Sequence, residues 1–171
     1  MMENDGQLFD EAYREHGGPL RAFFFGHTQN NEAASDLAQE TFLRVWRHIE
    51  ILRQTPVQRR RFWLFAIAKN TLADYYRRRS VWDRYETMLM ECMLASRSDP
   101  QHEIENGETL TAIDQAIRRL PENLREVLAL HTMGEMSSAE IGEALGRPAG
   151  TVRYQLSQAR KMINELLGSS G

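Results

Sequence analysis

The segment from Arg147 to Asn164 combines long hydrogen-bond donors with a complete lack of acidic side chains. A helix that enters the DNA major groove needs donors that reach base edges and phosphates, and a carboxylate there would repel the backbone. Before this segment, Ser137 and Glu140 have the spacing of a capping box, and Gly146 can end the short helix that the box begins. The pattern predicts a helix-turn-helix that reads duplex DNA. A helical hairpin that only closes a bundle is the alternative interpretation.

A second basic segment interleaves arginines with aromatic rings. Residues 59–63 read Arg-Arg-Arg-Phe-Trp, and residues 75–79 read Tyr-Tyr-Arg-Arg-Arg. An unpaired nucleic-acid strand offers such a surface a phosphate and a base face at every nucleotide, and stacking contributes roughly 1–3 kcal/mol per base. The segment is therefore predicted to bind a single strand. The alternative is core packing, which we favour for Phe62 and Phe65, whereas for Trp63 and the two tyrosines both interpretations stay open.

The net charge of -3 conceals four blocks of alternating sign. Residues 1–43 carry a net charge of -6, residues 44–84 carry +8, residues 85–146 carry -8 and residues 147–171 carry +3. Two separate basic blocks are typical of a protein that meets a polyanion at two places, while the overall acidity limits nonspecific binding. Solvated helix faces are the alternative explanation for such blocks.

Several classes of protein are disfavoured by the composition. Cys92 is the only cysteine and the five histidines are scattered, so we expect no disulfide, no metal site and no cofactor. Glycine-rich phosphate loops and nucleophile motifs are missing from the sequence, which predicts a protein that is not an enzyme. The acidic, polar N-terminus does not resemble a signal peptide, and no apolar run approaches the roughly 20 residues of a membrane helix. We expect a cytoplasmic protein.

Helical periodicity and the scarcity of alternating strand patterns predict an all-α fold in the first half of the chain. We expect helices over residues 8–28, 32–51 and from Arg59 past Arg79. A break or a kink is predicted at residues 17–19 (Gly-Gly-Pro), and a loop over residues 52–58. The expected core positions are Leu37, Phe42, Val45, Trp46 and Ile49 in the second helix, and Phe62, Phe65, Ala66, Leu72 and Ala73 in the third.

The second half begins near Glu108 and is also predicted to be helical. Pro121 is expected to open a helix that stops near Gly134, and the last helix is expected over residues 149–167. Between the halves, a polar stretch with weak periodicity predicts a flexible linker. The predicted architecture is therefore two small helical domains, residues 1–87 and 108–171, joined by a linker over residues 88–107.

Several motifs resemble one family, in the same order along the chain. Residues 36–46 (DLAQETFLRVW) resemble region 2.2 of bacterial sigma factors, and residues 62–78 resemble regions 2.3 and 2.4. Residues 120–127 (LPENLREV) resemble the start of region 4, and residues 150–161 resemble region 4.2. The chain is similar to the extracytoplasmic-function (ECF) group of sigma-70 factors, which keep only domains 2 and 4. The resemblance implies a region 2 bundle and a region 4 helix-turn-helix.

That resemblance implies three sets of binding residues. The β′ clamp helices of core RNA polymerase would contact Asp36, Gln39, Glu40 and Arg44. The residues that would open the promoter -10 element are Arg61, Trp63, Lys69, Asn70, Tyr75, Arg77 and Arg78. The residues that would bind the -35 element as duplex DNA are Arg147, Thr151, Arg153, Tyr154, Gln155, Arg160 and Lys161. Tyr154 and Gln155 replace the small and basic residues that often follow in this family, so the -35 sequence is not inferred.

The resemblance also implies partners. They are core RNA polymerase, through its β′ clamp helices and β flap, promoter DNA, and an anti-sigma factor that is often membrane-anchored, commonly in a stress response. Two other functions stay open. A sigma-like mimic that titrates an anti-sigma factor would not need basic residues such as Lys69 and Arg153. A helix-turn-helix regulator that acts without polymerase would leave residues 36–46 and 62–79 unexplained.

Overall fold

Eight helices make up the part of the chain that the computed structural model describes, residues 2–93 and 111–169. The N-terminal bundle holds α1 (Met2–Thr28), α2 (Asn31–Arg47), α3 (Ile49–Gln54) and α4 (Val57–Met93). The C-terminal bundle holds α5 (Ala112–Arg118), α6 (Glu122–Thr132), α7 (Ser138–Leu145) and α8 (Ala149–Gly168). The predicted all-α fold with two helical bundles is confirmed.

The first helix runs from Met2 to Thr28 through the Gly-Gly-Pro sequence, so the predicted break is wrong. Pro19 lies inside α1, where a proline removes one backbone hydrogen bond at a cost of about 3 kcal/mol. The buried positions Ala12 and His16 before Pro19 continue in helical register as Leu20 and Phe24 after it. Packing of this continuous stripe against the rest of the bundle outweighs the local penalty.

The predicted loop over residues 52–58 is also largely wrong. Helix α2 ends at Arg47, and after His48 a short helix, α3, carries a completely buried Leu52. That side chain belongs to a small core cluster with Ala12, Val45 and Leu64. Only Thr55 and Pro56 separate α3 from α4, so the anchor supplied by Leu52 keeps this segment helical.

The two bundles share one hydrophobic core. The largest buried cluster contains Phe23, Phe24 and Phe65 of the N-terminal bundle together with Val127 and Ile141 of the C-terminal bundle. A separate cluster of Leu120, Leu124, Leu128 and Ala159 packs α6 against α8 within the C-terminal bundle. The bundles are therefore held together by apolar packing as well as by polar contacts.

Three residues predicted for the core lie at the surface instead. Trp46 is 44% exposed and packs edge-on against Phe9, with ring centroids 5.3 Å apart. On α4 the buried face consists of Leu64, Phe65, Ala68, Thr71 and Leu72, at i, i+1, i+4, i+7 and i+8. Phe62, which is 44% exposed, and Ala73 lie on other sides of the helix. Phe65 and Leu72 belong to both the predicted stripe and the buried face, whereas Phe62 and Ala73 do not.

Helix α4 continues to Met93, beyond the predicted start of the linker at residue 88. The remainder of the predicted linker, residues 94–107, lies outside the described residues, as does the predicted start of the second domain near Glu108. None of the helices that the structure describes is both long and apolar enough to span a membrane.

Candidate nucleic-acid interface

The helix-turn-helix of α7 and α8 is fixed by local hydrogen bonds that the sequence predicts. The Ser137 backbone N–H donates to Oε2 of Glu140 at 2.8 Å, and the Glu140 N–H donates to the Ser137 hydroxyl at 3.2 Å. Gly146 then ends α7 in the left-handed region, with φ at 68°. A side chain is disfavoured at this φ, so glycine allows the tight turn into α8.

The outer face of α8 presents most of the residues predicted to read the -35 element. Thr151, Arg153, Tyr154, Arg160 and Lys161 are exposed there. Glu165 is the first acidic residue of the helix and lies in its C-terminal part. The positive end of the helix dipole and these donors give the face the charge that duplex phosphates require.

Two residues of the predicted -35 set are turned away from that open face. The Arg147 guanidinium lies 2.9 Å from Oε1 of the buried Glu126 on α6. A second Arg147 nitrogen donates to Oε1 of the half-buried Gln155 at 3.4 Å. In this arrangement Arg147 stabilises the packing of the turn on α6.

Helix α4 carries all seven residues predicted for the -10 element. Asn70, Arg77 and Arg78 are exposed, and Trp63, Asn70 and Arg77 are spaced by seven residues, so they follow one side of the helix. Tyr75 is half-buried against the main core. Trp63 is partly buried against the small cluster around Leu52. It therefore contributes to core packing, and its remaining exposed surface is free to contact a base.

Two cationic side chains of the set predicted for the -10 element interact with oxygen atoms of the C-terminal bundle. Arg61 lies 3.7 Å from Oε1 of Glu140 and 3.6 Å from Oε2 of Glu143, both on α7. The Lys69 ammonium donates to the Leu145 backbone carbonyl at 3.1 Å. Partial burial lowers the pKa of Lys69, Glu126 opposes the shift, and Arg147 adds to it.

The residues predicted to bind polymerase lie on α2, next to the start of the arginine-rich stretch of α4. Asp36 and Gln39 are exposed, whereas Glu40 and Arg44 are half-buried. Arg44 donates at 2.8 Å to both Glu40 and Asp74, and its hydrogen bond holds the pKa of the Asp74 carboxyl below its usual value. Two further ion pairs complete the network: Arg77 pairs with Asp74, and Arg78 pairs with Glu40.

A polar junction that sequence reasoning missed connects α1 to α6. The His27 ring lies between the carboxylates of Glu122 and Glu126. The Arg125 side chain donates to the Gly26 carbonyl at 2.6 Å. The spacing of the two glutamates places both on one face of α6, but no signal in the sequence pairs them with a histidine 95 and 99 residues away. Within residues 2–93 and 111–169, no three His, Cys, Asp or Glu side chains form a potential metal site.

Two family models match separate parts of the chain. The model described as Sigma-70 region 2 matches residues 12–81, which run from within α1 through the first two-thirds of α4. The model described as Sigma-70, region 4 matches residues 110–163, which include the helix-turn-helix. Together the two matches cover the basic segments of both bundles.

Similar proteins agree with these matches. The ECF RNA polymerase sigma factor SigW of Bacillus subtilis is 30% identical over 148 residues, covering 81% of this chain and 77% of SigW. SigM of the same organism is 28% identical, covering 92% of this chain and 93% of SigM. The sigma factor RpoE, solved in complex with the anti-sigma factor NepR from Bartonella quintana, superposes with a TM-score of 0.60 at 22% identity over 93% of this chain and 95% of RpoE. CnrH, solved with the cytosolic domain of CnrY, superposes with a TM-score of 0.58 at 22% identity over 98% of this chain and 96% of CnrH. The chain belongs to the ECF family of RNA polymerase sigma factors.

Proposed function

We propose that this chain directs promoter-specific transcription initiation by core RNA polymerase and has no catalytic activity of its own. In this proposal α2 binds the β′ clamp helices through the set around Asp36, α4 opens the -10 element, and α8 reads the -35 element. The C-terminal bundle contacts the β flap. The observation that carries the proposal is the outer face of α8, where exposed donors from Thr151 to Lys161 occur without a carboxylate.

The domain organisation follows from the same proposal. Residues 1–87 bind polymerase and the -10 element, residues 88–107 connect the two domains, and residues 108–171 bind the -35 element. We also propose that an anti-sigma factor controls this chain in the cytoplasm. The proposal is supported by two structurally similar proteins, RpoE and CnrH, which were solved in complexes with NepR and with the cytosolic domain of CnrY.

The alternative functions explain less of the molecule. A helix-turn-helix regulator without polymerase would not account for the region 2 match over residues 12–81. A mimic that only titrates an anti-sigma factor would not need exposed arginines on the outer face of α8 or an exposed Asn70 on α4.

Run-off transcription tests the proposal directly. Bacterial core polymerase is supplied with a library of promoter fragments, with and without this protein. We expect initiation that depends on the protein, and the sequences of the active fragments would reveal both promoter elements. Binding to core without initiation on any fragment would favour the mimic, and no binding to core would favour the polymerase-independent regulator.

A further inference from the structure

A groove with a volume of about 490 Å³ lies between α1 and α2, and the described residues that line it all belong to these two helices. Arg14 and Arg21 lie on its α1 side. They are the only two arginines among residues 1–43, which contain no lysine and eight acidic side chains. Both are exposed, and neither forms an ion pair with any residue in the described ranges. The most acidic part of the N-terminal bundle therefore holds two unpaired cations in one groove.

Between the two arginines, the α1 side of the groove is formed by Gly17 and Gly18. A Cβ atom built at either position would have no neighbour within 4 Å. Packing inside the chain therefore gives no reason for glycine at these positions, although glycine is less favourable than alanine inside a helix. The two glycines leave open space, so a segment of another molecule can approach the α1 backbone closely.

The groove also offers an aromatic surface. Tyr13 and Phe42 line it with their ring centroids 4.8 Å apart, and Tyr13 is 52% exposed. An apolar side chain can pack on this exposed ring. Asp10 is the only carboxylate among the described lining residues, and it precedes Arg14 by one helical turn. The stretch between the two arginines is therefore free of negative charge.

We propose that this groove binds an extended acidic segment of a protein partner, with one carboxylate on Arg14, one on Arg21 and an apolar side chain on Tyr13. A guanidinium binds a carboxylate through two parallel hydrogen bonds. Seven residues of helix place the two arginines about 10 Å apart along α1. In a polyproline II segment, side chains three residues apart lie on one side, separated by about 9 Å. The spacing of the arginines thus matches two acidic residues separated by two others.

Charge distinguishes this occupant from the partners already proposed. A nucleic-acid strand carries a negative charge at every nucleotide, so the net charge of -6 over residues 1–43 would repel it. A short segment needs only two carboxylates, which the two arginines neutralise. The surface proposed for polymerase exposes the acidic Asp36 beside the half-buried Glu40, which favours a basic partner. The groove therefore adds a partner of opposite charge, and the inference does not depend on the sigma function.

A labelled peptide with the sequence Gly-Glu-Pro-Leu-Glu-Gly tests the proposal, because its proline favours the polyproline II conformation. Fluorescence anisotropy is measured with the full chain, and a peptide with glutamine at both glutamate positions is the control. We expect only the acidic peptide to bind. Arg14→Gln and Arg21→Gln should each weaken binding about three- to fivefold, as for exposed ion pairs, and the effect should shrink as salt rises. Arg47→Gln, which removes an exposed arginine of α2, is the control for net charge.

Gly18→Leu tests the groove without removing a charge. The leucine side chain fills space that is open in this structure, and leucine favours helix, so the urea midpoint should not fall. Gly6→Leu is the matched control, because Gly6 also lies in α1 with no neighbour within 4 Å of a Cβ but does not line the groove. We expect Gly18→Leu to lose peptide binding and Gly6→Leu to keep it.

Three results would each overturn the proposal. They are equal binding of the acidic and glutamine peptides, binding that the arginine variants leave unchanged, and equal binding by Gly18→Leu and Gly6→Leu. A labelled mixed-sequence single-stranded DNA is the second probe. If binding of this DNA, and not of the peptide, depends on Arg14, Arg21 and Gly18, the groove is a nucleic-acid site and the proposal is wrong. Run-off transcription tests the sigma function separately, because none of the substituted residues belongs to the sets proposed for polymerase or promoter DNA.

Discussion

His27 and Glu126 form the centre of the contact between the bundles: Nε2 of the imidazole lies 2.5 Å from Oε2 of the carboxylate. Nδ1 of the same ring faces the Glu122 carboxylate. Because both ring nitrogens meet carboxylate oxygens, this geometry needs an N–H on each, and hence a positively charged ring. Arg147 approaches the other oxygen of Glu126. The buried carboxylate is thus neutralised by one cation from each bundle.

We expect the docked arrangement to weaken as the pH rises through the pKa of His27. Burial lowers the pKa of His27, but the hydrogen bonds and charges of Glu126 and Glu122 outweigh burial and hold it above its usual 6.5. A group whose pKa is raised by docking contributes its full stabilisation below its undocked pKa, and loses it as the pH rises through the docked pKa. Docking is therefore strongest below the usual pKa of histidine and declines on the alkaline side.

The other groups around His27 set the limits of that pH window. The His27 hydrogen bond holds the pKa of Glu122 below its usual value, so its contribution is lost only as the pH falls through that lowered value. Burial and Glu122 raise the pKa of Tyr76 to about 12, so the Tyr76 hydroxyl keeps its proton throughout this pH window. Spin labels at positions 10 and 164, in a Cys92→Ser background, would report the distance between the bundles as a function of pH. An identical alkaline transition in His27→Gln would assign it to another group.

Gly142 is predicted to be indispensable for the helix-turn-helix. A Cβ at this position would lie 2.5 Å from the Arg147 carbonyl oxygen and 3.4 Å from the Ala149 nitrogen, because the turn folds back directly over α7. We expect Gly142→Ala to destabilise the fold by about 1–3 kcal/mol, measured as the midpoint of urea unfolding. Gly150→Ala is the matched control, since its nearest neighbour is an arginine nitrogen at 3.8 Å and alanine favours helix. Equal midpoints for the two variants would contradict the steric argument.

The sequence was informative where structure depends on near neighbours and misleading where it depends on packing. The capping box of Ser137 and the turn at Gly146 involve residues a few positions apart, so their pattern predicts α7 and α8 closely. The break expected near Pro19 did not occur, because the packed stripe on either side of it cannot be recognised from local propensity. His27 and Glu126 are 99 residues apart in sequence. Their pairing depends on how the two bundles dock, which helical periodicity does not specify.

Asn70 is predicted to act in promoter opening and not in polymerase binding. Its exposed amide on α4 can form two hydrogen bonds with one base edge, a pairing that discriminates bases by about 1–3 kcal/mol. We expect Asn70→Ala to reduce open-complex formation, followed by permanganate reactivity of unpaired thymines, while affinity for core polymerase stays unchanged. Asn164→Ala, an exposed amide on α8, is the control. Parallel loss of core binding and opening in Asn70→Ala would remove the assigned role.

Arg153 is predicted to contact the duplex from the outer face of α8. Arg153→Ala should weaken binding to -35 duplex by about 1–3 kcal/mol and relax specificity at one position if the guanidinium reads a base. If it neutralises a phosphate instead, binding weakens on all sequences and the slope of log affinity against log salt falls by about one. Titrations at several salt concentrations with matched and scrambled duplexes separate the two cases. Arg119→Ala, which removes an exposed arginine at the end of α5, controls for net charge. If duplex affinity is unchanged in both Arg153→Ala and the control, Arg153 faces solvent in the bound state. The -35 element would then have to be read by the neighbours of Arg153 on α8.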